Sequence, residues 1–142
     1  ATTGKFIHSV VSDTDPVTGE VVSALKMAVN KTGAFDFYTV VFPQDINLTA
    51  NQTFIIRYRC DDEVPSFHFR FRDATNNATV EYRPTISKTY KGYNEAIFQV
   101  PTNTGLNVAT IKRLLVYPST DAGYAAYQGN IYIDYVRLGS SA

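Results

Sequence analysis

Ser66-Phe67-His68-Phe69-Arg70-Phe71-Arg72 sets three phenylalanines against His68, Arg70 and Arg72 in strict alternation. Side chains along a strand point to opposite faces in turn, so Phe67, Phe69 and Phe71 are predicted to face a core and the basic residues water. Just upstream, Phe54-Ile55-Ile56-Arg57-Tyr58-Arg59-Cys60 repeats the pattern, with Phe54, Ile56, Tyr58 and Cys60 on one side and Ile55, Arg57 and Arg59 on the other. If the two pair as a hairpin across the acidic turn Asp61-Asp62-Glu63-Val64-Pro65, all their arginines project from one sheet face.

Working outward, the same period of two recurs in short segments broken by Gly, Pro, Asn and Asp, and no strong helical stripe competes with it. Strands are predicted near Lys5–Ser12, Glu20–Asn30, Ala34–Phe42, Thr53–Asp61, Ser66–Asp73, Thr79–Ile86, Glu95–Val100, Thr110–Tyr117 and Asn130–Leu138. Many short strands at regular spacing imply an all-β fold, an antiparallel β-sandwich of jelly-roll type with about nine strands.

A length of 142 residues suits one domain spanning 1–142. No run approaches the ~18 consecutive apolar residues of a membrane helix, so a soluble chain without a membrane partner is expected. Thirteen basic residues balance thirteen acidic ones. That balance removes the diffuse positive field on which non-specific nucleic-acid binding depends. The lone cysteine, Cys60, excludes an internal disulfide and any cysteine-based zinc cluster. A monomer is expected, and the ends Ala1-Thr2-Thr3-Gly4 and Gly139-Ser140-Ser141-Ala142 read as cut edges of a larger polypeptide.

The C-terminal stretch Gly129-Asn130-Ile131-Tyr132-Ile133-Asp134-Tyr135-Val136-Arg137-Leu138 resembles the last strand of jelly-roll carbohydrate-binding modules, domains of the galactose-binding-like β-sandwich type. Gly33–Phe42 with Asp45–Thr49, the Arg57 strand, and Ile111-Lys112-Arg113-Leu114-Leu115-Val116-Tyr117-Pro118 fit the same plan in the same order. The resemblance implies a non-catalytic module of a secreted, modular enzyme that acts on plant or algal polysaccharide. It also implies that Asp134 is a candidate ligand of a structural calcium, with Asp13, Asp15 and Glu20 as further oxygen donors. Their spacing is not that of an EF-hand. On residue chemistry alone, a carboxylate inside this apolar strand needs a cation, an arginine or backbone donors, and an edge salt bridge to Arg137 or Lys112 would also serve.

Five of the seven arginines, Arg57, Arg59, Arg70, Arg72 and Arg83, fall within residues 57–83. Guanidinium forks match carboxylate and sulfate, so these residues are candidates to read an acidic polysaccharide. A solvated face neutralised by Asp61, Asp73 and Glu81 is the plainer reading. The chain has no Trp, so the ring-stacking that such modules often give to tryptophan falls to tyrosine or arginine. Tyr82, Tyr117, Tyr124, Tyr127 and Tyr132 are the tyrosines expected to be accessible. Tyr117 should share a face with Arg113 and Leu115 if Leu114 and Val116 point inward. Tyr117, Arg113, His68 and Arg83 join the arginines as candidate contacts, with His68 available to hydrogen-bond a sugar hydroxyl.

No nucleophile elbow, phosphate loop or zinc helix is present, and no enzyme activity is expected. Two rivals stay open. One is a protein-binding adhesin, surface or phage sandwich. The other is a small polysaccharide lyase using Tyr82, Arg83 and Lys88.

Overall fold

The structure is a computed structural model that describes residues 6–32, 37–47, 53–75, 87, 89–99, 107, 109–119 and 126–139. Eight strands lie among them: β1 (Phe6–Thr14), β2 (Val21–Lys31), β3 (Tyr38–Ile46), β4 (Thr53–Cys60), β5 (Ser66–Asp73), β6 (Asn94–Gln99), β7 (Ile111–Ser119) and β8 (Tyr127–Gly139). Each answers to a predicted strand, with ends displaced by a few residues. The predicted strand Thr79–Ile86 lies outside the described residues, and so do Tyr82, Arg83, Tyr124 and Lys88.

All pairings are antiparallel and form two sheets, one of five strands in the order β1-β2-β8-β4-β6 and one of three in the order β3-β7-β5. Their inner faces make one core. Phe54, Ile56, Tyr58, Cys60, Met27, Val29 and Ile131 come from the first sheet, and Phe67, Phe69, Phe71, Ile111, Leu114 and Val116 from the second. Burying side chains of this size stabilises the fold by about 1.5–3 kcal/mol each, which is what holds the two layers together. Cys60 is a free thiol in this core, pushed up to about 12 by burial, and is therefore chemically quiet.

The alternation predicted for β4 and β5 holds, but the predicted hairpin between them does not. β4 pairs with β6 and β8, whereas β5 pairs with β7 in the other sheet. The two strands face each other across the core, with Phe54 edge-on to Phe71 at 5.0 Å and Tyr58 edge-on to Phe67 at 5.1 Å. The connection makes this possible. Val64 and Pro65 are buried as the chain crosses from one layer to the other, and Pro65 has no N–H to continue a ladder. Asp61 N–H still bonds Asn130 O at 3.2 Å, which keeps the start of the crossing on the β8 side. Packing aromatic faces against one another between sheets removes more apolar surface from water than laying them side by side in one sheet.

Between β1 and β2 the chain turns through Gly19, whose φ of 78° is open to glycine at little cost. Asp15 caps that turn by accepting from the N–H groups of Val17 (2.7 Å) and Thr18 (3.2 Å). This places Asp13, Asp15 and Glu20 at one end of the five-stranded sheet.

Candidate functional site

Because β4 and β5 lie in opposite sheets, the arginines are divided. Arg57 and Arg59 rise from the outer face of the five-stranded sheet, and Arg70 and Arg72 from the outer face of the three-stranded one. The single basic plate expected from the sequence is corrected to two separate surfaces with the core between them.

On the five-stranded side the guanidiniums are consumed. Arg59 is 7% exposed. Its Nε and Nη2 donate to the two oxygens of Asp13 at 2.8 and 2.7 Å, and Nη1 donates to Asp61 at 2.6 Å. Its guanidinium carbon lies 4.3 Å from the centre of the Tyr132 ring. Arg57 donates to Asp134 at 2.6 Å and to Glu20 at 2.9 Å, and stacks 5.0 Å from the Tyr93 ring. Tyr93 closes the network, its hydroxyl donating to Asp13 at 2.8 Å and its N–H to Asp15 at 3.0 Å. Gly92 permits that approach, since a Cβ there would stand 2.8 Å from Asp15 Oδ1.

The four oxygen donors expected to serve calcium are therefore otherwise engaged. Asp134 and Glu20 hold Arg57, Asp13 holds Arg59, and Asp15 holds backbone N–H groups. Among the described residues no group of three or more His, Cys, Asp or Glu gathers as a metal site. Asp134 pairs with Arg57, brought to it by a bulge: β8 shifts register between the partners of Arg57 and Tyr58, leaving Asp134 as an extra residue on the outer face. The alternative partner, Arg137, lies over the Tyr135 ring at 4.6 Å and 3.7 Å from Glu95. Burial raises the carboxyls of Asp13, Asp15 and Asp61. Donors from Arg59 and Tyr93 to Asp13, from backbone to Asp15, and from Tyr132 and Arg59 to Asp61 outweigh it, leaving all three below the ordinary carboxylate range.

The three-stranded side is arranged differently. Leu114 and Val116 enter the core while Leu115 and Tyr117 join Phe37 in a second cluster on the outer face, as the alternation predicts. Register then fixes the neighbours: His68 opposite Tyr117, Leu115 between Arg70 and Thr39, and Arg113 between Arg72 and Val41. At one end of this face the residues are covered, with His68 at 0% and Tyr117 at 6% exposure. Tyr117 is thus no open stacking plate. Its ring packs against Phe37 at 5.3 Å, and the Arg70 guanidinium lies 5.9 Å away. Burial raises its hydroxyl pKa, against the opposing pull of Arg70 and Arg72. Tyr127 and Tyr132, also expected in the open, are buried.

At the other end the face opens. Arg70, Arg72 and Arg113 are half-buried and Val41 is exposed. Lys112, considered in the sequence only as a salt-bridge partner for Asp134, lies in the other sheet from it and joins these arginines instead, because β7 carries one extra residue between the partners of Arg72 and Asp73. The signal was available: apolar Ile111, Leu114 and Val116 are spaced three and then two apart, and a slip in a period of two marks a bulge.

The architecture has close counterparts among solved structures. An exo-β-agarase matches with a TM-score of 0.69 at 12% identity, over 97% of this chain and 23% of that one. The family 11 carbohydrate-binding module of a cellulosomal cellulase of Clostridium thermocellum matches with a TM-score of 0.58 at 11% identity, over 100% of this chain and 85% of that one. The fold is that of a jelly-roll carbohydrate-binding module. The enzymatically active domain of tailspike protein 4 from bacteriophage CBA120 also matches, with a TM-score of 0.52 at 16% identity over 94% of this chain and 18% of that one. No family model and no curated protein matches the sequence. The jelly-roll sandwich described here spans under a quarter of the agarase and of the tailspike domain, and most of the cellulase module.

Proposed function

We propose that this domain is a non-catalytic carbohydrate-binding module that holds an attached enzyme on a β-linked plant or algal polysaccharide, an acidic one by preference, outside the cell. The observation that carries the reading is the open end of the three-stranded face, where Arg113 stands between Arg72 and exposed Val41, with Arg70 along the same strand as Arg72. Guanidinium groups offer planar forks to hydroxyl and acid groups, and the apolar flank suits the C–H side of a sugar ring. His68 and Tyr117 lie at the covered end of the same face and do not make first contact. Tethering works by effective concentration, so a modest affinity is enough to keep a linked enzyme on its polymer.

A fold shared with a cellulase module and with part of an agarase supports a glycan ligand and makes agarose one of the polymers to try. Affinity electrophoresis through gels containing agarose, a β-glucan, a sulfated galactan or a uronan tests the reading. Retardation by at least one acidic polymer is expected, reduced when Arg70 and Arg72 are both replaced by alanine. Free migration in every gel, with an empty glycan array, would leave a protein-binding sandwich as the better account. The same gels run with chelator test whether calcium takes part. Any rise in ultraviolet absorbance on uronans would reveal a lyase.

A further inference from the structure

Arg72 on β5 and Arg113 on β7 are direct partners in an antiparallel ladder, which puts their Cβ atoms about 4.5–5.5 Å apart. Like charges placed so close repel. Asp73, the nearest acid in sequence, turns inward at 2% exposure and accepts from Thr75 N–H and Oγ1 and from Asn107 N–H. Among the described residues no carboxylate pairs with Arg72 or Arg113, whereas Arg57 and Arg59 each hold two. A third cation is added by the irregularity in β7. Its ladder to β5 slips at Lys112, and its ladder to β3 is interrupted between Val41 and Ile46, so the chain yields on both sides at the same place. Bulges re-aim side chains next to sites, and this one leaves Lys112 exposed beside Arg113.

Resting on the reading of this face as the polysaccharide platform, we infer that Arg72, Arg113 and Lys112 form a subsite for one oxyanion of the polymer, a sulfate ester or a uronate carboxylate. Both groups present several acceptor oxygens to two neighbouring guanidinium forks, and either one neutralises a repulsion built into the ladder. Selection for a charged polymer over a neutral one of the same backbone would arise here.

Inorganic sulfate is the first probe. Titrated into the full chain at constant ionic strength against chloride, it is expected to raise the melting temperature saturably. The rise should vanish in Arg72→Gln/Arg113→Gln and persist in Lys26→Gln/Arg137→Gln, which removes the same charge from the opposite sheet. In polymer gels the arginine double variant should lose roughly ten- to hundredfold in affinity for a charged polymer, the size expected for charge-assisted hydrogen bonds. Arg72→Lys, which keeps the charge and loses the fork, should recover only part of it. Comparing a sulfated galactan with a uronan tells which oxyanion is the natural one. Equal affinities of wild type and double variant, or an equal loss in the charge-matched control, would overturn the subsite. Binding of neutral agarose with no preference for charged polymers would overturn it while leaving the glycan reading intact. An arginine-dependent sulfate response with no polymer bound would uphold the subsite and end the glycan reading. Melting of each variant in chloride confirms that it is folded.

Discussion

The two outer faces of this sandwich are built from the same residue types and put to opposite use. On the five-stranded face every arginine described is matched: Arg57 by Asp134 and Glu20, Arg59 by Asp13 and Asp61, and Arg137 by Glu95 and the Tyr135 ring. On the three-stranded face Arg72 and Arg113 confront each other instead. Among the described residues of a chain with no formal net charge, Arg72 and Arg113 thus lack the carboxylate partners that the arginines of the five-stranded face have. Neutrality of the whole says little about a face, and a bonded arginine and an open one are different tools. The first fastens the β1–β2 turn and the 90–93 segment to the sheet, and the second is available to a ligand.

The largest expected effect breaks this contrast at its firm end. Arg59→Ala would leave Asp13 and Asp61 without their guanidinium in a site where Asp13 is largely covered. Breaking a buried pair from one side costs about 3–5 kcal/mol. For a chain of this size that is a fall of about 10 °C or more in melting temperature. Arg72→Ala on the other face is expected to change stability by no more than about 0.5 kcal/mol. Calorimetry on the two variants decides the matter, and comparable losses would erase the distinction drawn between the faces.

Acid sharpens the same contrast. The carboxyls of Asp13, Asp15 and Asp61 sit lower in the folded chain than in an unfolded one. Their contribution is complete above about pH 5, where the unfolded chain is also ionised, and it drains away as pH falls from there through the folded values. Circular dichroism melts from neutral pH downward should show a steep fall below about pH 4. Asp13→Asn should flatten that fall, because one of the linked protons is then absent. Arg72→Gln/Arg113→Gln should leave the acid profile unchanged, since among the described residues no carboxylate is tied to the pair.

How much of this was legible in the sequence follows from what alternation can carry. A period of two shows which side of a strand a residue occupies, so Phe67, Phe69 and Phe71, or Leu114 and Val116 against Leu115 and Tyr117, were placed from the sequence alone. The period does not say which sheet a strand joins. Asp61–Pro65 reads equally well as a hairpin turn or as a crossing between layers, and the arginine plate failed on that ambiguity. Charge partners were hidden for a related reason. Arg57 meets Asp134 across 77 positions of sequence, through a bulge whose mark is the three-residue step from Ile133 to Val136. The same kind of step from Ile111 to Leu114 marked Lys112. Exposure of an outward ring was the third gap, because Tyr117 faces out and is still covered.

The smallest expected effect has the most informative sign. Replacing an arginine in a matched network weakens a fold, yet Arg113→Gln should strengthen this one by a few tenths of a kcal/mol, because like charges directly opposite in a ladder are destabilising. Added chloride should favour the wild type more than the variant, since screening acts on a repulsion that only the wild type retains. Chemical denaturation at low and moderate salt measures both quantities. A destabilised Arg113→Gln, or a wild type indifferent to salt, would mean that the guanidinium is held by a bond within the protein. The two faces would then differ in the identity of their partners and no longer in having them.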